Sequence, residues 1–175
     1  MSESAPERLP DQANEAEWRR LFETWDPRIR SYLARLLPDS RDSEEITLET
    51  FALAWRTHDR FRGGKVSTWL FGLATNLARN RRRGWLRRIA RLAGPVESMP
   101  EVGFDDNAHS DDLARMVREA VQSLSEELRA PLVLTAFEGL SQKETAKVLG
   151  CTVKTVEHRV AAARELLRSK LKCAA

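Results

Sequence analysis

Seven arginines stand between positions 79 and 91 (Arg79, Arg81, Arg82, Arg83, Arg87, Arg88, Arg91) with no acid among them. Guanidinium groups grip phosphates through paired N–H donors, so an unopposed run of them fits a polyanion. Asn76 and Asn80 share a helical face with Arg79 and Arg83, and side-chain amides read base edges. Trp69, close to Gly63-Gly64, could stack on an unpaired base, although a core position is the stronger explanation for that ring. From Lys143 to Lys172 eight basic residues face three acids, and between the two basic blocks lie Glu97, Glu101, Asp105, Asp106, Asp111 and Asp112. Basic, acidic, basic is the pattern of a chain with two nucleic-acid surfaces. Solvated helix faces are the plain alternative.

Other chemistries find little support. No paired carboxylates, nucleophile–base set or phosphate loop occurs in a plausible context, so an enzyme is a weak reading. Two cysteines and three histidines provide no zinc pair, and neither metal nor cofactor is expected. No apolar run approaches the roughly 18–20 residues of a membrane span, and the N-terminus lacks the layout of a secretory signal. No membrane insertion is expected, and the cytoplasm is the default location.

The elements that must hold these residues read as helices throughout. Residues 1–13 read as a disordered arm. A helix starts at Asn14, with Glu17 completing a capping box and Trp18, Leu21, Phe22 and Trp25 on one face. Asp26-Pro27 reads as a new cap and first turn, opening a second helix that stops near Pro38. A third is capped at Asp42 and runs to about Arg60, with Leu48, Phe51, Ala52 and Trp55 as its apolar stripe. After the Gly63-Gly64 loop a fourth helix spans about Ser67 to Arg83, with Leu70, Leu73, Ala74 and Leu77 inward. A shorter helix, Trp85–Leu92, follows. Residues 94–110, with two prolines, two glycines and four acids, read as a linker. Beyond it Leu113 to Leu124 forms a helix, and Ser125 caps another in which Pro131 implies a kink or a later start.

Residues 141–172 carry a helix-turn-helix pattern. Ser141 and Glu144 form a capping box, Ala146 is small at a close crossing, and Gly150 supplies a left-handed turn. Thr152 caps a long second helix with a buried stripe of Val156, Val160, Ala163, Leu167 and Leu171. Lys154, Thr155, Glu157, His158 and Arg159 face outward near its start, where such helices enter a major groove. An ordinary helical hairpin is the competing reading. Cys151 beside the turn is best taken as a small buried apolar residue.

Three stretches together resemble the extracytoplasmic-function (ECF) group of bacterial sigma factors of the sigma-70 family. Asp42-Ser43-Glu44-Glu45-Ile46-Thr47-Leu48-Glu49-Thr50-Phe51 is similar to the segment of region 2 that docks on the polymerase clamp. Phe61 to Leu70, continuing through Ala74 to Asn80, resembles the loop and helix that melt and read the −10 element. Gly139 to Ala146, with Thr155 to Arg159 and Arg164, resembles region 4, which binds the −35 element. The resemblance covers about residues 15–172. It implies an all-α chain of two helical domains, region 2 over 14–93 and region 4 over 111–172, joined by a flexible acidic linker at 94–110 that threads through the polymerase.

Function and partners follow from the same resemblance. It implies a non-enzymatic subunit that binds core RNA polymerase, at the β′ clamp helices and the β flap, and directs initiation at promoter DNA. Glu45, Leu48, Glu49, Phe51 and Trp55 would lie at the clamp contact, though the spacing of Phe51 and Trp55 also suits a core. Arg62, Lys65, Ser67, Thr68, Trp69, Asn76, Arg79, Asn80 and Arg83 would face −10 DNA. Thr152, Lys154, Thr155, Glu157, His158, Arg159 and Arg164 would face −35 DNA. An anti-sigma protein is an implied partner. Two positions depart from the pattern: Leu48 where the family usually has glutamine, and Ala162 where many members carry arginine. No large N-terminal autoinhibitory region and no extra C-terminal domain are expected.

A seventeen-residue linker extends at most about 56–61 Å. Two duplex elements about 16–17 base pairs apart are separated by roughly 55–58 Å, so the reach is just sufficient. Free of DNA, the two modules could also fold on one another and hide both basic surfaces. A promoter-binding regulator with a sensing or dimerising first module uses the same helix-turn-helix and remains the alternative.

Overall fold

The computed structural model describes residues 8–37, 39–93 and 112–173. Every regular element among them is helical: α1 (Glu15–Leu36), α2 (Ser40–Arg56), a 3-10 turn (His58–Arg60), α3 (Val66–Ala93), α4 (Asp112–Gln122), α5 (Glu126–Leu132), a π turn (Val133–Phe137), α6 (Gln142–Leu149) and α7 (Val153–Cys173). The linker expected at 94–110 lies outside the described residues, as do residues 1–7. From Leu9 onward the N-terminal stretch is held in place. Leu9 is buried in the core, and the Asp11 carbonyl accepts from Trp18 Nε1 at 3.1 Å.

Two helices expected around Pro27 are one. Asn14 caps α1 through Glu17 N, as its sequence predicts, but the helix continues past the proline. Leu21, Trp25, Ile29, Tyr32 and Leu33 form one buried stripe across it, and Asp26 is not a cap but an ion-pair partner of Arg30 at 3.1 Å. Burial of several large side chains outweighs the lost backbone bond and the proline clash of about 3 kcal/mol. Helix α3 likewise absorbs the predicted break at Gly84, because an interior glycine costs only about 1 kcal/mol relative to alanine.

Helix α2 differs from its predicted form at both ends and on its faces. Asp39, not Asp42, is its N-cap, bonding Arg41 N at 2.9 Å, and it stops at Arg56. Its buried face is Ile46, Thr47, Thr50, Phe51 and Ala54, whereas Leu48, Ala52 and Trp55 face outward. The two threonines tolerate burial because each hydroxyl donates to a carbonyl one turn back, Thr47 to Ser43 and Thr50 to Ile46.

In the second half, Ser125 precedes α5, which starts at Glu126 with Pro131 inside it. The helix then widens into a π turn, closed by Glu138 N to Val133 O, while Thr135 Oγ1 takes the Pro131 carbonyl. That widening absorbs the misfit of the proline. Gly139 follows at φ +70°.

The two halves share one core. Region-spanning burial joins Ile29, Tyr32, Leu36 and Phe71 of the first to Val121, Ala130, Leu134, Leu140, Val148 and Leu149 of the second. A smaller cluster of Leu124, Leu132, Ala146, Val156, Val160 and Ala163 lies within the second half. Polar cement runs along the seam. Gln122 Nε2 donates to the carbonyls of Ala34 and Arg35 at the end of α1, and Arg28 Nη2 donates to Glu138 O at 2.8 Å. Arg35 lies over the Phe137 ring, 4.8 Å from its centroid.

Candidate nucleic-acid interface

The loop before α3 is built by Gly63 and Gly64, both near φ +92°, a backbone that side-chain-bearing residues rarely adopt. It leaves Arg62 and Lys65 exposed and lets Val66 plug the core at the first turn of α3. Ser67, Thr68 and Trp69 follow as half-buried residues. Trp69 packs edge-on against Phe61, ring centroids 5.5 Å apart, and rests on the core. The Thr68 hydroxyl is buried without a hydrogen-bond partner.

Along α3 the expected polar face divides. At about 100° per residue, Asn76, Asn80, Arg83 and Arg87 fall on one narrow stripe, and all four are exposed. Arg79 and Arg82 lie on the flank turned to the second half. There Glu126 receives both guanidinium groups, Arg79 Nε at 3.5 Å and Arg82 through Nη1, and Arg79 Nη1 also donates to Leu149 O at 3.3 Å. Lys65 reaches the same partner half: its Nζ lies 2.7 Å from Glu144 Oε1. Thus Asn76, Asn80 and Arg83 are presented together, and Arg79 and Lys65 are engaged elsewhere.

Arg81, on the opposite flank, turns to α2. It bonds Glu45 at 2.9 Å, Glu49 at 3.2 Å and Asp42 at 3.4 Å, and this hydrogen bond holds the Glu45 carboxyl below its usual range. Sequence spacing gave no sign of this clasp, since the partners are more than thirty residues apart. Beside it lie the exposed apolar residues of α2, Leu48 at 58% and Trp55 at 46%. Phe51 is core, seated edge-on against Phe22 at 4.8 Å, which decides its two readings in favour of packing.

The helix-turn-helix forms as its residues predict. Ser141 Oγ accepts from Glu144 N while Glu144 Oε2 accepts from Ser141 N at 2.8 Å, and Gly150 turns at φ +65°. With Lys65 as the largest influence and the Ser141 bonds adding to it, the Glu144 carboxyl is held down at about 2. Thr152 Oγ1 accepts from Thr155 N at 3.1 Å and caps α7. Thr152, Lys154, Glu157, His158 and Arg164 are exposed, Thr155 is half-buried, and Arg159 extends toward Glu127 at 3.5 Å. Cys151 is half-buried against the core, in line with an apolar role. The modules do fold on one another, but they engage only the Arg79–Arg82 flank of one basic surface, and the outward end of α7 stays open. Among the described residues no group of histidine, cysteine or carboxylate side chains could hold a metal ion, and no helix is long and apolar enough to cross a membrane.

Both halves of the chain are similar to known proteins. Residues 21–89 match the family model for sigma-70 region 2, and residues 114–167 match that for sigma-70 region 4. The RNA polymerase sigma-H factor of Pseudomonas aeruginosa is 30% identical over 161 residues, covering 82% of this chain and 80% of the relative. The ECF RNA polymerase sigma-E factor of Escherichia coli is 33% identical over 155 residues, covering 82% and 81%. Among solved structures, the sigma factor RpoE of Bartonella quintana, in complex with the anti-sigma factor NepR, aligns at a TM-score of 0.76 with 23% identity, covering 89% of this chain and 97% of that one. CnrH, in complex with the cytosolic domain of CnrY, aligns at 0.70 with 29% identity, covering 93% and 92%.

Proposed function

Since the chain belongs to the sigma-70 family and to its ECF group, as a sigma factor that binds core RNA polymerase and directs promoter-specific initiation, we propose a division of labour among its surfaces. Region 2 spans 14–93 and region 4 spans 111–172, with 94–110 as the linker that passes through the polymerase. The α2 face of Glu45, Leu48, Glu49 and Trp55 docks on the β′ clamp, and region 4 meets the β flap. Leu48 and Trp55 give that face exposed apolar area, which protein contacts favour at their centre. Arg62, Lys65, Ser67, Thr68 and Trp69 line the pocket for an unpaired −10 base. Asn76, Arg79, Asn80 and Arg83 contact the strand beside it. Thr152, Lys154, Thr155, Glu157, His158 and Arg159 read the −35 major groove, and Arg164 binds backbone.

One observation carries this reading: Asn76, Asn80 and Arg83 form an exposed stripe on α3, separate from the exposed helix start at Lys154–His158. Two such surfaces suit two DNA elements. The protein acts in the cytoplasm, as a non-catalytic initiation factor. An anti-sigma protein is a further partner, a reading supported by RpoE, whose structure is a complex with one. Run-off transcription tests the whole. The chain alone should shift a promoter duplex poorly and should drive specific transcripts once core enzyme is added. Stable duplex binding by the pure chain, unaltered by core enzyme, would sink it.

A further inference from the structure

The covered flank of α3 is the least expected feature of the molecule. We propose that two carboxylates of region 4, Glu126 and Glu144, occupy the positions of DNA phosphates on the −10 surface, so that region 4 competes with DNA for region 2 within the same chain. The inference rests on the assignment of that surface to −10 DNA.

The geometry is that of an anion site already filled. Glu126 forms an ion pair with Arg79 and accepts from Arg82, two residues that stand three apart on one flank of α3, so a single carboxylate sits between two guanidinium groups. This is how an arginine pair holds a phosphate. Glu144 meets Lys65 at 2.7 Å, at the mouth of the loop assigned to the unpaired base. Neither acid is a loose surface side chain. Glu126 opens α5 and Glu144 lies in the first turn of α6, where the helix dipole favours negative charge. Glu144 is further fixed by Ser141 N and Ser141 Oγ, at 2.8 and 2.7 Å. Its low titration point, about 2, keeps it anionic at any physiological pH.

A cation so engaged cannot also neutralise a phosphate. Lys65, Arg79 and Arg82 are therefore withdrawn from DNA while the modules are closed, and Leu134, Leu140, Val148 and Leu149 seal the seam with apolar contact. The exposed stripe of Asn76, Asn80 and Arg83 keeps its hydrogen-bonding groups but loses the flanking charge that supplies most of the affinity for a strand. An open chain regains three phosphate contacts. Single-strand binding should then depend on salt with a slope steeper by about 2, at ~0.7 per phosphate.

The test uses the full chain and a fluorescein-labelled single DNA strand of random sequence, followed by anisotropy across a salt series. Glu126→Gln/Glu144→Gln is compared with Glu15→Gln/Glu23→Gln, which removes equal charge from exposed positions of α1. The first pair should bind about tenfold more tightly than the second at low salt, with the steeper slope. If the double variant does not fold, each single change should give a smaller gain of the same sign. Affinity no better than that of the α1 pair overturns the proposal, and small-angle scattering then identifies the failed premise. A grown radius of gyration means that the opened face does not take DNA, and the −10 assignment falls too. An unchanged radius means that the carboxylates do not hold the modules closed, and the assignment stands.

Discussion

Replacing Arg129 by methionine tests how region 4 is anchored to region 2. Arg129 donates to Leu36 O at 3.0 Å, to Gln122 Oε1 at 3.0 Å, to Gln122 O at 2.7 Å, and to Leu124 O from both Nη2 (2.6 Å) and Nε (3.2 Å). Its charge thus serves the carbonyl-bearing ends of α1 and α4, where helix dipoles are negative. Burial depresses the guanidinium pKa, Arg82 adds repulsion, and Glu126 pulls the other way. Methionine keeps the apolar stem and removes the fork. A hydrogen bond from a charged donor contributes about 1.5–3 kcal/mol, so three carbonyls give roughly 4.5–9 kcal/mol before desolvation. Returning the guanidinium to water recovers several kcal/mol of that. A net loss of about 2–4 kcal/mol follows, or roughly 5–15 °C in the thermal midpoint for a chain of this size. Urea unfolding followed by circular dichroism measures it, and Arg129→Lys, with fewer donors in reach, should fall between. A loss under about 1 kcal/mol for the methionine variant would refute the reasoning, since those carbonyls would then be satisfied without the arginine.

The remaining predictions concern pH, docking and base choice. Glu138 is buried and its carboxyl is raised, first by burial, with Arg28 and Arg35 opposing. A raised folded value means stability that is fullest below the unfolded carboxylate range and is lost as pH rises through the folded one. Glu138→Gln should therefore gain on the wild type as pH rises above the ordinary carboxylate range, and unfolding curves showing the reverse trend would contradict this. Trp55→Ala should shift unfolding by no more than about 0.5 kcal/mol yet weaken capture by core polymerase, measured by competition against the unaltered chain. Arg159→Ala should reduce dependence on −35 sequence, read from transcription over a set of −35 variants, while Glu127→Ala leaves it intact. Asn80→Ala should relax base preference at −10, and an identical preference in the variant would remove that residue from the reading surface.

Local rules reached the parts of the fold whose signals are local. The Asn14 cap, the Ser141–Glu144 capping box, the left-handed Gly150 and the Thr152 cap all depend on residues within a few positions of one another, and all formed as their spacing implies. Failures arose where tertiary burial overrode a breaker. Pro27 and Gly84 each mark a stop by propensity, but in α1 the stripe from Leu21 to Leu33 continues underneath and outweighs the penalty. The face of α2 departs from its apolar spacing for a related reason. Thr47 and Thr50 look polar in the sequence, while Leu48 and Trp55 look like core, and back-bonding hydroxyls reverse both. Leu48 and Trp55 thus stand exposed instead of packing, as the proposed docking face requires. The seam between halves was invisible because Arg79, Arg82 and Lys65 meet partners more than forty positions away.

The arginine run shows how one compositional signal can carry three structural meanings. Consecutive helical residues point about 100° apart, so Arg81, Arg82 and Arg83 cannot serve one surface. Arg81 turns to the carboxylates of α2, Arg82 joins Arg79 on Glu126 of α5, and Arg83 faces solvent with Asn76, Asn80 and Arg87. Among the described arginines of the run, only the third group is free to meet a strand without a rearrangement. The density that first suggests a polyanion therefore overstates the charge available to DNA in the closed chain, and the difference lies in region 4. On the proposed surface, further free arginines would add affinity without base choice, because phosphate contacts carry no sequence information. Lending part of the run to α2 and part to region 4 leaves the asparagines and one arginine stripe in front, where, on the proposed −10 assignment, hydrogen bonds to bases would count for more.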